Sequence, residues 1–145
     1  MNFEDFKKCV CEAKSAHPFW FDFEPDDAPD QDSLIRAEQM LEARLPQEYK
    51  DFLLQYGGGY FAFGNVFSLE EGSEWNLIDI NAEFAHLRAG RVLISENSNG
   101  DFFGFDVRDG VCQSELCFWD HAQECWQSSG YTNLFEYLSK VALTN

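Results

Sequence analysis

The chain has 145 residues, enough for one domain whose core removes roughly two thirds of the unfolded surface from water, and too few for a multidomain machine. Lys plus Arg total 10 against 26 Asp plus Glu, a formal charge of −16 with a pI near 4.3. Direct binding to nucleic acid or to an anionic membrane is therefore disfavoured, because phosphate contacts need a cationic surface; a basic partner is the natural counterpart. With 45% hydrophobic and 17% aromatic residues, 15 of them Phe, the chain reads as a packed domain with a strongly charged surface and not as an acidic disordered tail. The whole of 1–145 is read as one domain.

No apolar run is long enough to cross a bilayer, and residues Met1 to Lys8 lack the basic-then-apolar pattern of a secretory signal, which predicts a cytoplasmic protein. Five cysteines (Cys9, Cys11, Cys112, Cys117, Cys125) form an odd set in a chain large enough to have a core. Free, mostly buried thiols are expected in place of a disulfide framework.

Residues 2–15 carry Phe3, Phe6, Val10 and Ala13 at helical spacing and predict an amphipathic helix that ends before His17 and Pro18. The stretch Phe19 to Asp30 is aromatic, acidic and punctuated by proline, with no helical period. It reads as an ordered loop, because its aromatics need cover. Asp32 or Ser33 can cap a second helix carrying Leu34, Ile35, Ala37, Leu41 and Leu45. Pro46 suits the first turn of a third, whose apolar stripe is Tyr49, Phe52, Leu53 and Tyr56 and whose end is marked by Gly57, Gly58 and Gly59.

After the glycines the period shifts toward two, and residues 60–63 and 66–67 predict short strands around a Gly64-Asn65 turn. Residues 76–88 read as partly helical. Asn99-Gly100 and Asp109-Gly110 then divide Val92–Glu96, Phe102–Val107 and Val111–Trp119 into a three-strand antiparallel meander. Leu134, Phe135, Leu138, Val141 and Ala142 predict a closing helix over one sheet face. Helices, then strands, then a helix is an α+β pattern, with a mostly antiparallel sheet and helices packed around it.

The order of helix, Leu45-Pro46, Tyr49, Phe52, Leu53, Gly57-Gly58, hairpin, aromatic strand and terminal helix resembles the SUKH superfamily, which groups fungal cell-wall-assembly regulators with many bacterial immunity proteins. Ile35, Glu38 and Leu45-Pro46 match its first block, and Asn99 to Asp106, with Phe105 and Asp106 closing the aromatic-x-aromatic-Asp run, match its second. Phe118, Trp119, Asp120 and His121 match its third. The likeness runs from about residue 32 to the end, leaving 1–31 outside it. Cys112 to Glu115 depart from the proline and β-branched residues that members often carry there.

The resemblance implies a non-enzymatic cytoplasmic protein that binds and neutralises a cognate polymorphic or contact-dependent toxin. Many such toxins are nucleases, whose basic clefts suit an acidic binder steered by charge. The alternative it allows is a regulatory or scaffold module with no toxin partner. A toxin-facing patch would comprise Trp20, Asp22, Glu24, Asp26, Asp27 and Asp30, with a smaller one at Glu70, Glu71, Glu74 and Trp75. Both stretches read equally as solvated loops that cap helices and maintain solubility. Replacing Asp26, Asp27 and Asp30 by Asn is expected to weaken toxin association without disturbing the fold.

Glu38 reads as a structural carboxylate, bonded to backbone N–H groups or to an Arg such as Arg36 or Arg44, and Asp106 and Asp120 as structural too. Asp101 and Asp109 are explained by turn chemistry. Cys112, Cys117, His121 and Cys125 are zinc-ligand types, but 112 and 117 differ in strand parity and would face opposite ways unless a bulge intervened. No metal or cofactor is expected. Neither a nucleophile elbow nor a phosphate-cradling glycine loop is present, so an enzyme is not expected either.

Overall fold

Short-range chemistry sets most element boundaries. The Asn2 side chain accepts from the Asp5 amide at 2.8 Å and starts α1 (Phe3–Ala16), which stops where Pro18 follows. Pro18–Phe21 form one 3-10 turn. The second helix, α2 (Gln31–Leu41), is capped by Asp30, whose carboxylate accepts from the Ser33 amide at 2.7 Å. This corrects the expectation of a cap at Asp32 or Ser33: those residues already lie in the first turn. Helix α3 (Gln47–Tyr56) follows Pro46, which supplies extended backbone at φ −60 and loses nothing by lacking an N–H there.

Gly59–Phe61 (β1) and Gly64–Val66 (β2) form a hairpin with Phe61 opposite Gly64, so the turn is Ala62-Phe63 and not Gly64-Asn65. Ala62 adopts φ 49, a conformation its small side chain tolerates, and Asn65 is instead needed beside β3. There its amide pairs with both main-chain groups of Glu96, at 2.9 and 3.0 Å. Two short helices follow, α4 (Leu77–Glu83) and α5 (Ala85–Arg88). The main sheet is antiparallel in the order β3 (Arg91–Glu96), β4 (Phe102–Arg108), β5 (Val111–Asp120), β6 (Cys125–Ser128). The meander thus has a fourth strand, too short and too exposed to announce itself by alternation. Helix α6 (Leu134–Val141) closes the chain. The computed structural model describes residues 1–145.

One sheet face is covered by α3 and α6, with α1 packed on α6. Phe103 meets Tyr137 at 4.5 Å, Phe6 stacks on Phe135 at 4.9 Å, and Tyr49 abuts Phe105 at 6.0 Å. The other face is partly covered by α4 and α5: Phe84 packs on Phe102 at 4.9 Å, and the Trp126 indole N–H donates to the Leu87 carbonyl at 2.8 Å. Strand β3 lies at the sheet edge, and its free main-chain groups are occupied. Asn81 bonds both ways with Leu93, and the Phe67 amide donates to Ile94. The result is a single α+β domain with one continuous core.

Candidate partner-binding face

The segment between α1 and α2 is tied down at three points. At its start Trp20 stacks on His17 at 4.0 Å and meets Phe63 edge-on at 5.0 Å, while Phe21 turns inward against Phe61 at 5.8 Å. In the middle, the Asp26 amide donates to the Gly58 carbonyl at 2.8 Å. The Asp26 carboxylate accepts the hydroxyls of Ser68 at 2.6 Å and Ser73 at 2.5 Å. At its end Asp30 caps α2. The three glycines are therefore more than a helix stop. A Cβ on Gly57, already at φ +85, would sit 1.9 Å from the Asp26 carbonyl oxygen, so the loop lies directly on bare backbone.

These ties bring the two acidic stretches together. Ser68 and Ser73 belong to the segment that carries Glu70, Glu71, Glu74 and Trp75, and the Asp27 amide donates to the Glu70 carboxylate at 2.9 Å. What the sequence presents as two patches is one face. Asp22, Glu24, Asp27, Glu71 and Glu74 are exposed on it, and Glu70 is half-buried. Burial raises the pKa of nearby Glu96, and the negative charge of Glu74 raises it further. Asp26 and Asp30 belong to the scaffold of this face, since their carboxylates are occupied by local donors; hydrogen bonds from Ser33 hold Asp30 below the ordinary Asp value. Their carboxylates are engaged within the chain, so replacing them acts on the loop and the cap of α2 as well as on the charge of the face.

The aromatics are arranged differently from expectation. Cover was expected for all of them, yet Phe19 is 81% and Phe23 66% exposed. Phe23 stacks on the likewise exposed Tyr60 at 4.9 Å, and Trp75 is edge-on to Tyr60 at 5.2 Å. Its buried indole N–H has no partner. Trp20 is half-buried. Sequence reasoning missed Tyr60 and Phe63: Tyr60 lies in β1 on the side left exposed between buried Gly59 and Phe61, and Phe63 stands at the Ala62-Phe63 turn. Behind Phe23 and Tyr60 opens a cleft of about 180 Å³, lined by Phe21, Pro25, Tyr56 and Phe61 with Lys14 at its edge.

The remaining motif residues serve the frame. Glu38 accepts from the Leu45 amide at 2.7 Å, as expected, but its cation is Lys50 at 3.6 Å and neither Arg36 nor Arg44. Leu45 and Pro46 are buried, and the buried Tyr49 hydroxyl donates to the Phe67 carbonyl. Gly58, at φ +108, lies against Ser68, so a side chain there is blocked as it is at Gly57. Phe105 is fully buried, Asp106 pairs with Arg108 at 3.2 Å, and Trp119 packs on Trp126 at 5.7 Å.

Among the cysteines only Cys112 is buried; Cys9 and Cys117 are half-buried and Cys11 and Cys125 exposed, which corrects the expectation of mostly buried thiols. The register shifts between Phe105 and Val107, but Cys112 stands opposite Val107 and Cys117 opposite Gly104, three positions apart on β4, so the two thiols keep opposite parity. Ligand-type atoms of Asp101, Asp120 and His121 lie within 4.8 Å of one another. Their oxygens serve the turn: Asp101 accepts from the amide and ring of His121 at 2.9 and 2.6 Å, and Asp120 from the Ala122 and Gln123 amides. No helix is long and apolar enough to cross a membrane.

No curated protein matches this chain. Residues 31–138 match the family described as SUKH_6, SMI1-KNR4 cell-wall.

Proposed function

The chain belongs to the SUKH superfamily, matched over residues 31–138, and on that premise we propose that it is a cytoplasmic bacterial immunity protein that binds and neutralises a cognate toxin. One observation carries the reading. Two acidic segments far apart in sequence are fastened into a single face through Asp26 and Glu70, and exposed aromatics stand among the carboxylates. A carboxylate field draws in a basic partner and orients it, while desolvated rings supply contact area that charge alone does not. A nuclease domain, with a cleft built to hold phosphates, has the complementary surface. Neutralisation is stoichiometric, by covering that surface, and asks no chemistry of this chain.

A second reading has one specific support: the matched family carries a cell-wall description, which favours a regulatory or scaffold module using the same face. Co-expression separates the two. Cells producing the effector domain of a toxin encoded beside this chain should survive when the chain is present. Combined replacement of the exposed Asp22, Glu24, Glu71 and Glu74 by their amides should slow association and flatten its salt dependence while thermal melting stays unchanged. Killing that proceeds undiminished in cells holding the folded chain would overturn the immunity reading.

A further inference from the structure

The two edges of the main sheet are finished differently. Strand β3 is closed by Asn81 and by the Phe67 amide, whereas no strand pairs with the outer side of β6. The Ser129 amide donates to the Leu116 carbonyl at 3.2 Å, which sets the phase of the ladder between β5 and β6. With Phe118 opposite Gln127 and Asp120 opposite Cys125, residues 125 and 127 turn their main-chain groups toward β5, and Trp126 and Ser128 turn theirs outward. No turn, cap or side-chain hydrogen bond reaches the main-chain N–H or C=O of either residue.

Most devices that keep such an edge to itself are absent. Strand β6 carries no proline and no lysine, pairs with β5 without a bulge, and exposes Cys125, Gln127 and Ser128. Residues 109–139 contain neither Lys nor Arg. Carboxylates surround the edge instead: Glu115 accepts from the Ser128 hydroxyl at 3.2 Å, and Asp120 and the exposed Glu124 flank the turn that joins the two strands. One cation, Arg91, rests on the Trp126 ring at 4.9 Å and offsets one of these charges. A second copy of the chain would bring the same carboxylates against themselves, so self-pairing is opposed and a segment carrying Lys or Arg is favoured.

We propose that the outer edge of β6 is a strand-addition site for an extended basic segment of a protein partner, hydrogen-bonded to the main chain of Trp126 and Ser128. Main-chain pairing holds the segment whatever its side chains, and Glu115 and Glu124 select its charge. The site lies apart from the acidic face, which borders the opposite edge strand through Glu74 and Glu96. Three strand spacings, roughly 14 Å, separate β6 from β3, and the site neither uses nor requires that face.

The test titrates the full chain, into the millimolar range, with a blocked hexapeptide of alternating threonine and valine that has a lysine at each end, and follows amide shifts by NMR. The Trp126 and Ser128 amides should move along one saturation curve and gain protection from hydrogen exchange. The same peptide ending in glutamates should bind roughly fivefold more weakly, and a version N-methylated throughout its middle should not bind. Ser128→Pro removes an outward N–H without touching the ladder to β5 and should weaken binding roughly fivefold, whereas Ser128→Ala, which keeps that N–H, should change it less than about twofold. Protection of the Gln127 amide in both variants keeps folding out of the comparison; if Ser128→Pro frays β6, the N-methylated peptide decides on the unaltered chain. Shifts that spare Trp126 and Ser128, equal binding of the N-methylated peptide, or no saturable shift overturn the site and leave the acidic face standing. Sedimentation should find a monomer, and a dimer that Ser128→Pro disperses would assign the edge to a second copy and overturn the basic partner.

Discussion

Replacing Asp26 by Ala removes the carboxylate on which Ser68 and Ser73 converge at 2.6 and 2.5 Å. A hydrogen bond to a charged acceptor contributes roughly 1.5–3 kcal/mol, and the hydroxyl of the fully buried Ser68 is left without that acceptor. Asp26 itself is half-buried, so water recovers part of the loss. The expected cost is about 2–4 kcal/mol, a fall in Tm of roughly 5–15 °C for a domain of this length. Asp26→Asn keeps the shape and one acceptor oxygen, and the remaining hydroxyl can rotate to accept from the new NH2, so about 1 kcal/mol is expected. Guanidinium denaturation ranks the variants, and hydrogen exchange at the Asp26 and Asp27 amides reports whether the loop has lifted. An Asp26→Ala variant within about 0.5 kcal/mol of the parent, with both amides still protected, would refute the clamp.

Three further outcomes are expected. Tyr49→Phe removes the donor to the Phe67 carbonyl inside the core and should cost about 1–2 kcal/mol in urea; a loss too small to measure would mean that the bond contributes nothing net. Bonds from the Thr132 hydroxyl and amide, then from Lys140, hold the Glu136 carboxyl down to about 2 from 4.5. Because the folded value is the lower one, this stabilisation is complete above pH 4.5 and drains away as pH falls toward 2. Acid unfolding should therefore be steeper in that window than for Glu136→Gln, and a titration midpoint for Glu136 above 4 by carboxyl NMR contradicts the assignment. Burial, reinforced by the charge of Glu38 and opposed by Arg88, pushes the Cys112 thiol up to about 12, while Cys11 and Cys125 are exposed. Alkylation at pH 8 followed by mass spectrometry should modify Cys11 and Cys125 first and Cys112 only on unfolding; equal rates would show the pocket around Cys112 to be open.

The helices were readable because their signs are local. Spacing marks α1, α3 and α6, and Pro46 and Gly57 bracket α3. Asp109-Gly110 was equally plain, since both residues take positive φ, at 52 and 74, between paired Arg108 and Val111. Errors arose where a distant partner outranked local preference. Asn65 looks like a turn residue until β3 supplies two main-chain groups for its amide, and Asp30 caps α2 ahead of two equally suitable neighbours. The face was half legible. Its carboxylates and tryptophans stand out in composition, but their union depends on Asp26 reaching Ser68, Ser73 and Gly58, contacts that no periodicity encodes. Exposure of Phe19 and Phe23 could not be read either, because a large ring carries the same preference for burial whether or not the fold has room for it.

The seating of the 22–30 segment on Gly57 to Gly59 has a thermodynamic consequence. A surface loop with prolines and acidic residues ordinarily samples many shapes, and a partner that selects one of them must oppose the chain entropy lost, of order 1 kcal/mol or more per residue. Here folding of the domain has already fixed the backbone through the Gly58 carbonyl, the two serine hydroxyls and the cap of α2. Association then restricts side chains such as Glu24 and Phe23 but little main chain, so more of the contact energy remains as affinity. The side chains that point outward from so fixed a track can be exchanged one at a time, which makes the segment a rigid display on which a different specificity could be written without redesigning the domain beneath it.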